Sequence, residues 1–129
     1  MKFAIQVNTS PYHSNAGLTA YQFIRAALDE QHEIVRVFFY HEGVYHAFQY
    51  ATPPDDEISQ VTRWSELVRD YQIDLVVCIS AAQRRGLLHS DEAQQQGKRD
   101  NDVAAGFRIS GLGQLVEATL LADRFIVFA

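Results

Sequence analysis

A chain of 129 residues is about one domain, residues 1–129, and is long enough to bury most of the apolar surface its unfolded state would expose. With 47% hydrophobic and 21% charged residues its composition is that of an ordinary globular protein, which argues against disorder and against a membrane class. The formal net charge of -5 argues against a nucleic-acid surface, and a single cysteine excludes an intrachain disulfide.

Met1 to Val7 turns polar too soon for a secretory signal, so a reducing cytoplasm is expected, and no apolar run approaches the roughly 20 residues that cross a bilayer. Phe3 to Val7 reads as a first strand leading into the turn formers Asn8-Thr9-Ser10-Pro11. From Asn15 or Ala16 to Asp29, Ala20, Tyr21, Ile24, Ala27 and Leu28 recur at helical spacing. Glu33 to Tyr40 is a second strand, apolar enough at its end to be covered on both faces.

His41-Glu42-Gly43-Val44-Tyr45-His46 superficially matches the zinc-protease motif, but the spacing is one residue too long. Five helical steps of about 100° place the two histidines roughly 140° apart, and Gly43 is a poor helix former. A turn with solvated or packed histidines is expected. His13, His32 and His89 are isolated, so no metal and no cofactor is predicted. Phe48 to Pro54 is a connector, Asp55-Asp56-Glu57 suit the first turn of a helix, and Ile58, Val61, Trp64, Leu67, Val68 and Tyr71 form its apolar stripe.

The next stretch, Ile73-Asp74-Leu75-Val76-Val77-Cys78-Ile79-Ser80-Ala81-Ala82-Gln83-Arg84-Arg85-Gly86, organises the chain. Its apolar core reads as a buried parallel strand, and ligands collect at the carboxyl ends of such strands. Cys78 lies at that end, with a helix starting near Ser80 to Gln83 whose exposed N–H groups favour a thiolate. Arg84 and Arg85 would add positive charge if they fold back toward it. On local pattern alone a core-filling cysteine is favoured over a reactive one.

Residues 89–102, rich in Gln, Asp and Lys, read as a mobile surface loop. In Phe107 to Ala118, Ser110 is a natural cap for a helix with Leu112, Leu115, Val116, Thr119 and Leu120 on one face. Its Gly111-Leu112-Gly113 lacks the third glycine of a dinucleotide fingerprint, so close backbone packing is the expected reason for the glycines. Arg124 to Phe128 is a last strand tied into the sheet. Alternating strands and helices predict a three-layer α/β/α domain with a mainly parallel sheet whose strand order stays open.

Taken together, Val37 to Tyr45, Cys78 with Ala81 to Gly86, and Ser110 to Ala118 resemble the TusD/DsrE family of sulfur-relay proteins along nearly the whole chain. That resemblance implies a DsrE-like fold, and a sulfurtransferase in which Cys78 carries sulfur as a persulfide, with Arg84 and Arg85 as candidate stabilising cations. It further implies two related small subunits (TusB/TusC-like or DsrF/DsrH-like) in a heterohexamer, a TusA-like donor and a TusE- or DsrC-like acceptor. The sulfur would be destined for 2-thiouridine in transfer RNA, with no direct contact to nucleic acid or membrane. A DsrE-type subunit of dissimilatory sulfur oxidation, a non-catalytic scaffold with Cys78 inert, and a nucleotide-binding protein are the alternatives. Phe39 to Tyr45 tilts the reading toward the TusD side.

Overall fold

Five apolar runs form the strands of one parallel sheet in a computed structural model of the chain, which describes residues 1–98 and 102–129. The elements are β1 (Lys2–Val7), α1 (Ala16–Asp29), β2 (Glu33–Phe39), a 3-10 helix (His41–Ala47), α2 (Gln60–Tyr71), β3 (Leu75–Cys78), α3 (Ile79–Arg84), α4 (Ser90–Gln95), β4 (Phe107–Ser110), α5 (Gly113–Leu121) and β5 (Arg124–Phe128). Every pairing is parallel, and the order is β4-β3-β2-β1-β5. The sheet grows in one direction from β1 to β4, then the chain returns to the other side of β1. A right-handed connection that reverses direction must cross on the opposite face.

Side-chain alternation shows which face is which. Val37 and Phe39 are in register with Leu75 and Val77, and Phe39 meets Trp64 of α2 and Phe107 of β4 at ring-centroid distances of 5.1 and 5.2 Å. Tyr21 of α1 packs edge-on to Trp64, so α1 and α2 share this face. The opposite face carries Arg36, Phe38, Val76 and Arg108, and α5 lies on it: Arg36 donates to the Gln114 carbonyl at 2.8 Å and to Glu117 at 3.2 Å. The chain is thus the three-layer α/β fold that alternation predicted. β3 is buried at all four positions, as a strand covered on both faces must be.

Several local expectations are corrected. Phe107–Ser110 is a strand, although only four residues long and half exposed, so its signal fell below that of the helix after it. Ser110 therefore belongs to β4 and caps nothing, because Leu112 is the residue before α5 and makes no side-chain cap. Asp55, Asp56 and Glu57 precede α2; the helix is capped by Ser59, whose hydroxyl accepts from the Thr62 N–H, and its stripe begins at Val61 while Ile58 is 66% exposed. Tyr71 at the other end is exposed as well. Within the span read as a loop, Ser90–Gln95 is helical and buries Ala93, while 99–101 lie outside the described residues. Leu112, Val116 and Leu120 do not face the core but solvent. Nor are Gly111 and Gly113 explained by close packing, since a Cβ at either would meet no atom within 4 Å.

Candidate active site

The run Leu75-Val76-Val77-Cys78 passes directly into α3, and the small, buried Ala81 and Ala82 let that helix lie against the sheet. Cys78 ends the strand and is the residue before the helix, with extended backbone. It pairs with Ser110 on β4, and by alternation its side chain shares the α5 face with Val76 and Phe38. No open loop carries it: the thiol is 1% exposed.

Arg84 and Arg85 part company. Arg84 is exposed and makes no side-chain hydrogen bond or ion pair among the described residues, whereas Arg85 folds back along α3. Its Nη1 donates to the Ala81 carbonyl at 2.9 Å, one helical turn nearer Cys78, and its Nη2 donates to the Glu42 carboxylate. Cys78 and Arg85 flank the six-residue α3 at its two ends, and the bond to Ala81 turns the Arg85 side chain back toward the Cys78 end. The Glu42 hydrogen bond, resisted by partial burial, raises the affinity of Arg85 for its proton, with smaller attractions from Tyr45 and Cys78. The same bond holds Glu42 below the usual carboxylate range.

Glu42 is placed by the 3-10 helix, which is itself fixed from below. Gly43 sits on the end of β1 so closely that a Cβ would fall on the Val7 carbonyl oxygen. His46 is buried: it accepts from the Trp64 indole N–H at 3.1 Å and contacts the Thr9 carbonyl at 3.0 Å. Because indole N–H only donates, Nδ1 of His46 is the acceptor and Nε2 carries the proton given to Thr9. Burial pushes the ring's pKa down to about 4 against a smaller opposing pull from Thr9, so it is neutral. His41, by contrast, is exposed and stacks on Tyr40 at 4.0 Å, so the two histidines face different surroundings. Among the described residues no group of three or more His, Cys, Asp or Glu is placed to hold a metal ion.

Two cavities flank the 3-10 helix. One of about 360 Å³ is lined by Asn8, Thr9, Ser10, His13 and Glu42; another of about 530 Å³ includes Pro11, Tyr12, Tyr45 and Phe48. Neither is lined by Cys78. Below the site, Asp74 accepts from Arg36 at 2.6 Å and from Arg108 at 2.7 and 2.9 Å, anchoring β2, β3 and β4 together. Partial burial opposes its ionisation, yet the Arg108 and Arg36 hydrogen bonds hold it below the usual carboxylate range. Sequence reading missed Glu42 and Asp74 as organising groups. A lone carboxylate in a turn and another at a strand's start carry no spacing signal, since their partners are 43 and 34 to 38 residues away.

No helix among the described residues is long and apolar enough to cross a membrane. In fold the chain is similar to the ychN protein of E. coli, with a TM-score of 0.76, 21% identity and 99% of each chain covered. It is similar also to MTH1491 of Methanobacterium thermoautotrophicum, with a TM-score of 0.58, 13% identity and 98% and 97% coverage. In sequence it is 53% identical over 128 residues to a protein of Allochromatium vinosum named as sulfurtransferase DsrE, covering 99% of this chain and 98% of that one. It is 38% identical over 128 residues, with the same coverage, to a Vibrio parahaemolyticus protein named sulfurtransferase TusD homolog. Residues 1–128 match the DsrE/DsrF-like family, and to that family this chain belongs.

Proposed function

We propose that the chain is a sulfurtransferase whose Cys78 carries sulfur as a persulfide between protein partners. The observation that carries this reading is the position of its only thiol, at the carboxyl end of a central parallel strand with the Arg85 guanidinium folded back to the Ala81 carbonyl of the helix that follows. In the reaction, the Cys78 thiolate attacks the outer sulfur of a donor persulfide; a new S–S bond forms, the donor S–S bond breaks, and the donor leaves as thiolate. The acceptor's thiolate then attacks the outer sulfur of Cys78-S-SH and regenerates the Cys78 thiolate. Neither step is a net oxidation, so no cofactor is required. With no second cysteine in the chain, nothing within it can resolve the persulfide to a disulfide. Arg85 offers a cation to the anionic sulfur, and Glu42 holds that cation in place. Arg84, being exposed, is better placed to meet a partner than the thiol.

A TusA-like donor, a TusE- or DsrC-like acceptor and two related subunits in a heterohexamer complete this reading. The relative named DsrE is the more similar of the two, 53% against 38%, which favours the sulfur-oxidation branch over 2-thiouridine formation and reverses the tilt taken from Phe39 to Tyr45. Because Cys78 is 1% exposed in the isolated chain, the cover over it must open for either partner to reach the sulfur. That burial is also the one observation favouring a scaffold role with an inert cysteine.

Intact-mass measurement after incubation with a persulfide-loaded TusA-like donor decides between the two. A gain of one sulfur, about 32 Da, on wild type, reversed by thiol reductant and absent from Cys78→Ser, is expected. No gain from a donor proven competent, with partner subunits present and with Cys78 alkylated only after unfolding, would leave the scaffold.

A further inference from the structure

We infer that the larger of the two cavities flanking the 3-10 helix binds a small organic cation of the quaternary or alkylated ammonium class. Four aromatic rings converge on it from three stretches of chain: Tyr12 from the turn after β1, Tyr45 from the 3-10 helix, and Phe48 and Tyr50 from the connector that follows. The three tyrosines are between 37 and 62% exposed, and Phe48 is half-buried. Their rings are therefore not consumed by the core. The walls are also held in place before any ligand arrives. Tyr45 and Phe48 pack at a ring-centroid distance of 5.1 Å. Behind them the Gln49 N–H donates to the Asp102 carbonyl and the Ala104 N–H to the Ala47 carbonyl, each at 2.8 Å, and Phe48 forms an antiparallel bridge with Val103. The volume of about 530 Å³ lies in the range of roughly 300–1,000 Å³ that small-molecule sites occupy.

Electrostatics sets the sign of the ligand. Asp102 lines the cavity, and among the described residues no Lys or Arg does. Lys98 donates to the Asp102 carboxylate at 2.6 Å, but it lines the cavity beside α4 and not this one. A second carboxylate, Glu57, is near enough to Tyr12 to add to burial in raising the pKa of its hydroxyl. The face of an aromatic ring carries the negative part of its quadrupole, so rings and carboxylates pull in the same direction, on a cation. An anion is opposed by both, in a chain whose formal net charge is -5. The apolar lining narrows the class further. A compact ammonium gives up strong hydration to enter such a site, whereas a charge wrapped in alkyl groups gives up little and keeps its attraction to the ring faces.

The test is calorimetric titration of the purified chain with choline and, separately, with 3,3-dimethyl-1-butanol, which has the same shape without the charge. The same titrations are made on Tyr12→Leu, Tyr45→Leu and Tyr12→Phe. Leucine keeps an apolar side chain and removes the ring face, while phenylalanine keeps the face and removes only the hydroxyl. Tyr12 and Tyr45 are exposed, so the variants should keep the wild-type melting temperature; the Tyr12 pair suffices should Tyr45→Leu fail to fold. Choline is expected to bind saturably at one site per chain, and the neutral isostere about tenfold more weakly or not at all. Each leucine variant should weaken choline about five- to tenfold, and Tyr12→Phe should bind it as wild type does. Any of three results would overturn the inference: no saturable binding of choline, equal binding of the neutral isostere, or a choline affinity that Tyr12→Leu leaves unchanged. The readout needs no sulfur donor, so it stands or falls apart from the role of Cys78.

Discussion

Mild acid should loosen the support of the candidate site through one residue, His46. Its ring is buried, hydrogen-bonded at both nitrogens as the neutral form, and pushed down to a pKa of about 4. An unfolded histidine titrates near 6.5. Between those values the unfolded chain binds a proton that the folded chain refuses, so stability is unaffected above about pH 6.5 and falls as the pH drops toward 4. Each pH unit in that window costs about 1.4 kcal/mol, a cumulative loss of about 3 kcal/mol, which is a large share of the 5–15 kcal/mol that holds a domain folded. Urea unfolding followed by the fluorescence of Trp64, the sole tryptophan, measures it directly. The comparison is His46→Gln, which can donate to the Thr9 carbonyl and accept from Trp64 without titrating. Carboxylates common to both proteins cancel in the difference. Wild type should lose stability from pH 6.5 to 4 about 3 kcal/mol more steeply than the variant. Parallel curves would refute the neutral, buried assignment.

Two further substitutions test the frame around the thiol. Gly43→Ala places a Cβ on the Val7 carbonyl oxygen, backbone that cannot step aside cheaply, and should cost about 3 kcal/mol and lower the melting temperature by about 10 °C; an unchanged melting temperature would show that the 3-10 helix does not press on β1. Asp74→Asn removes the carboxylate between Arg36 and Arg108, leaving a mostly buried guanidinium short of charge, and should cost about 2 kcal/mol at neutral pH. The folded carboxylate's pKa is depressed, so its contribution is complete above the unfolded value near 4 and disappears as the pH falls through the folded one. The gap in urea midpoint between wild type and variant should thus close in acid; a constant gap would mean that shape, not charge, is what Asp74 supplies.

Periodicity and composition alone were enough to specify the elements that bury a continuous apolar stretch. Leu75 to Cys78, Glu33 to Phe39 and the α1 stripe are legible because burial on a strand or a helix face requires apolar residues at fixed local spacing, and the alternation of strands with helices then implies a parallel sheet. The cysteine's place at a strand end was legible for the same reason, and its family blocks gave it a chemistry. Tertiary structure decided the rest. Strand order, the crossing of α5 to the opposite face and the choice of Arg85 over Arg84 depend on contacts between residues distant in sequence. Local pattern could not reveal that Leu112, Val116 and Leu120 face outward, since an apolar stripe looks the same in sequence whether it meets this chain's core or the outer surface. Nor could it show that Cys78 is closed off: exposure at the end of a strand is set by what packs over it, and here the neighbouring strand residue, Ser110, comes from 32 positions further along the chain.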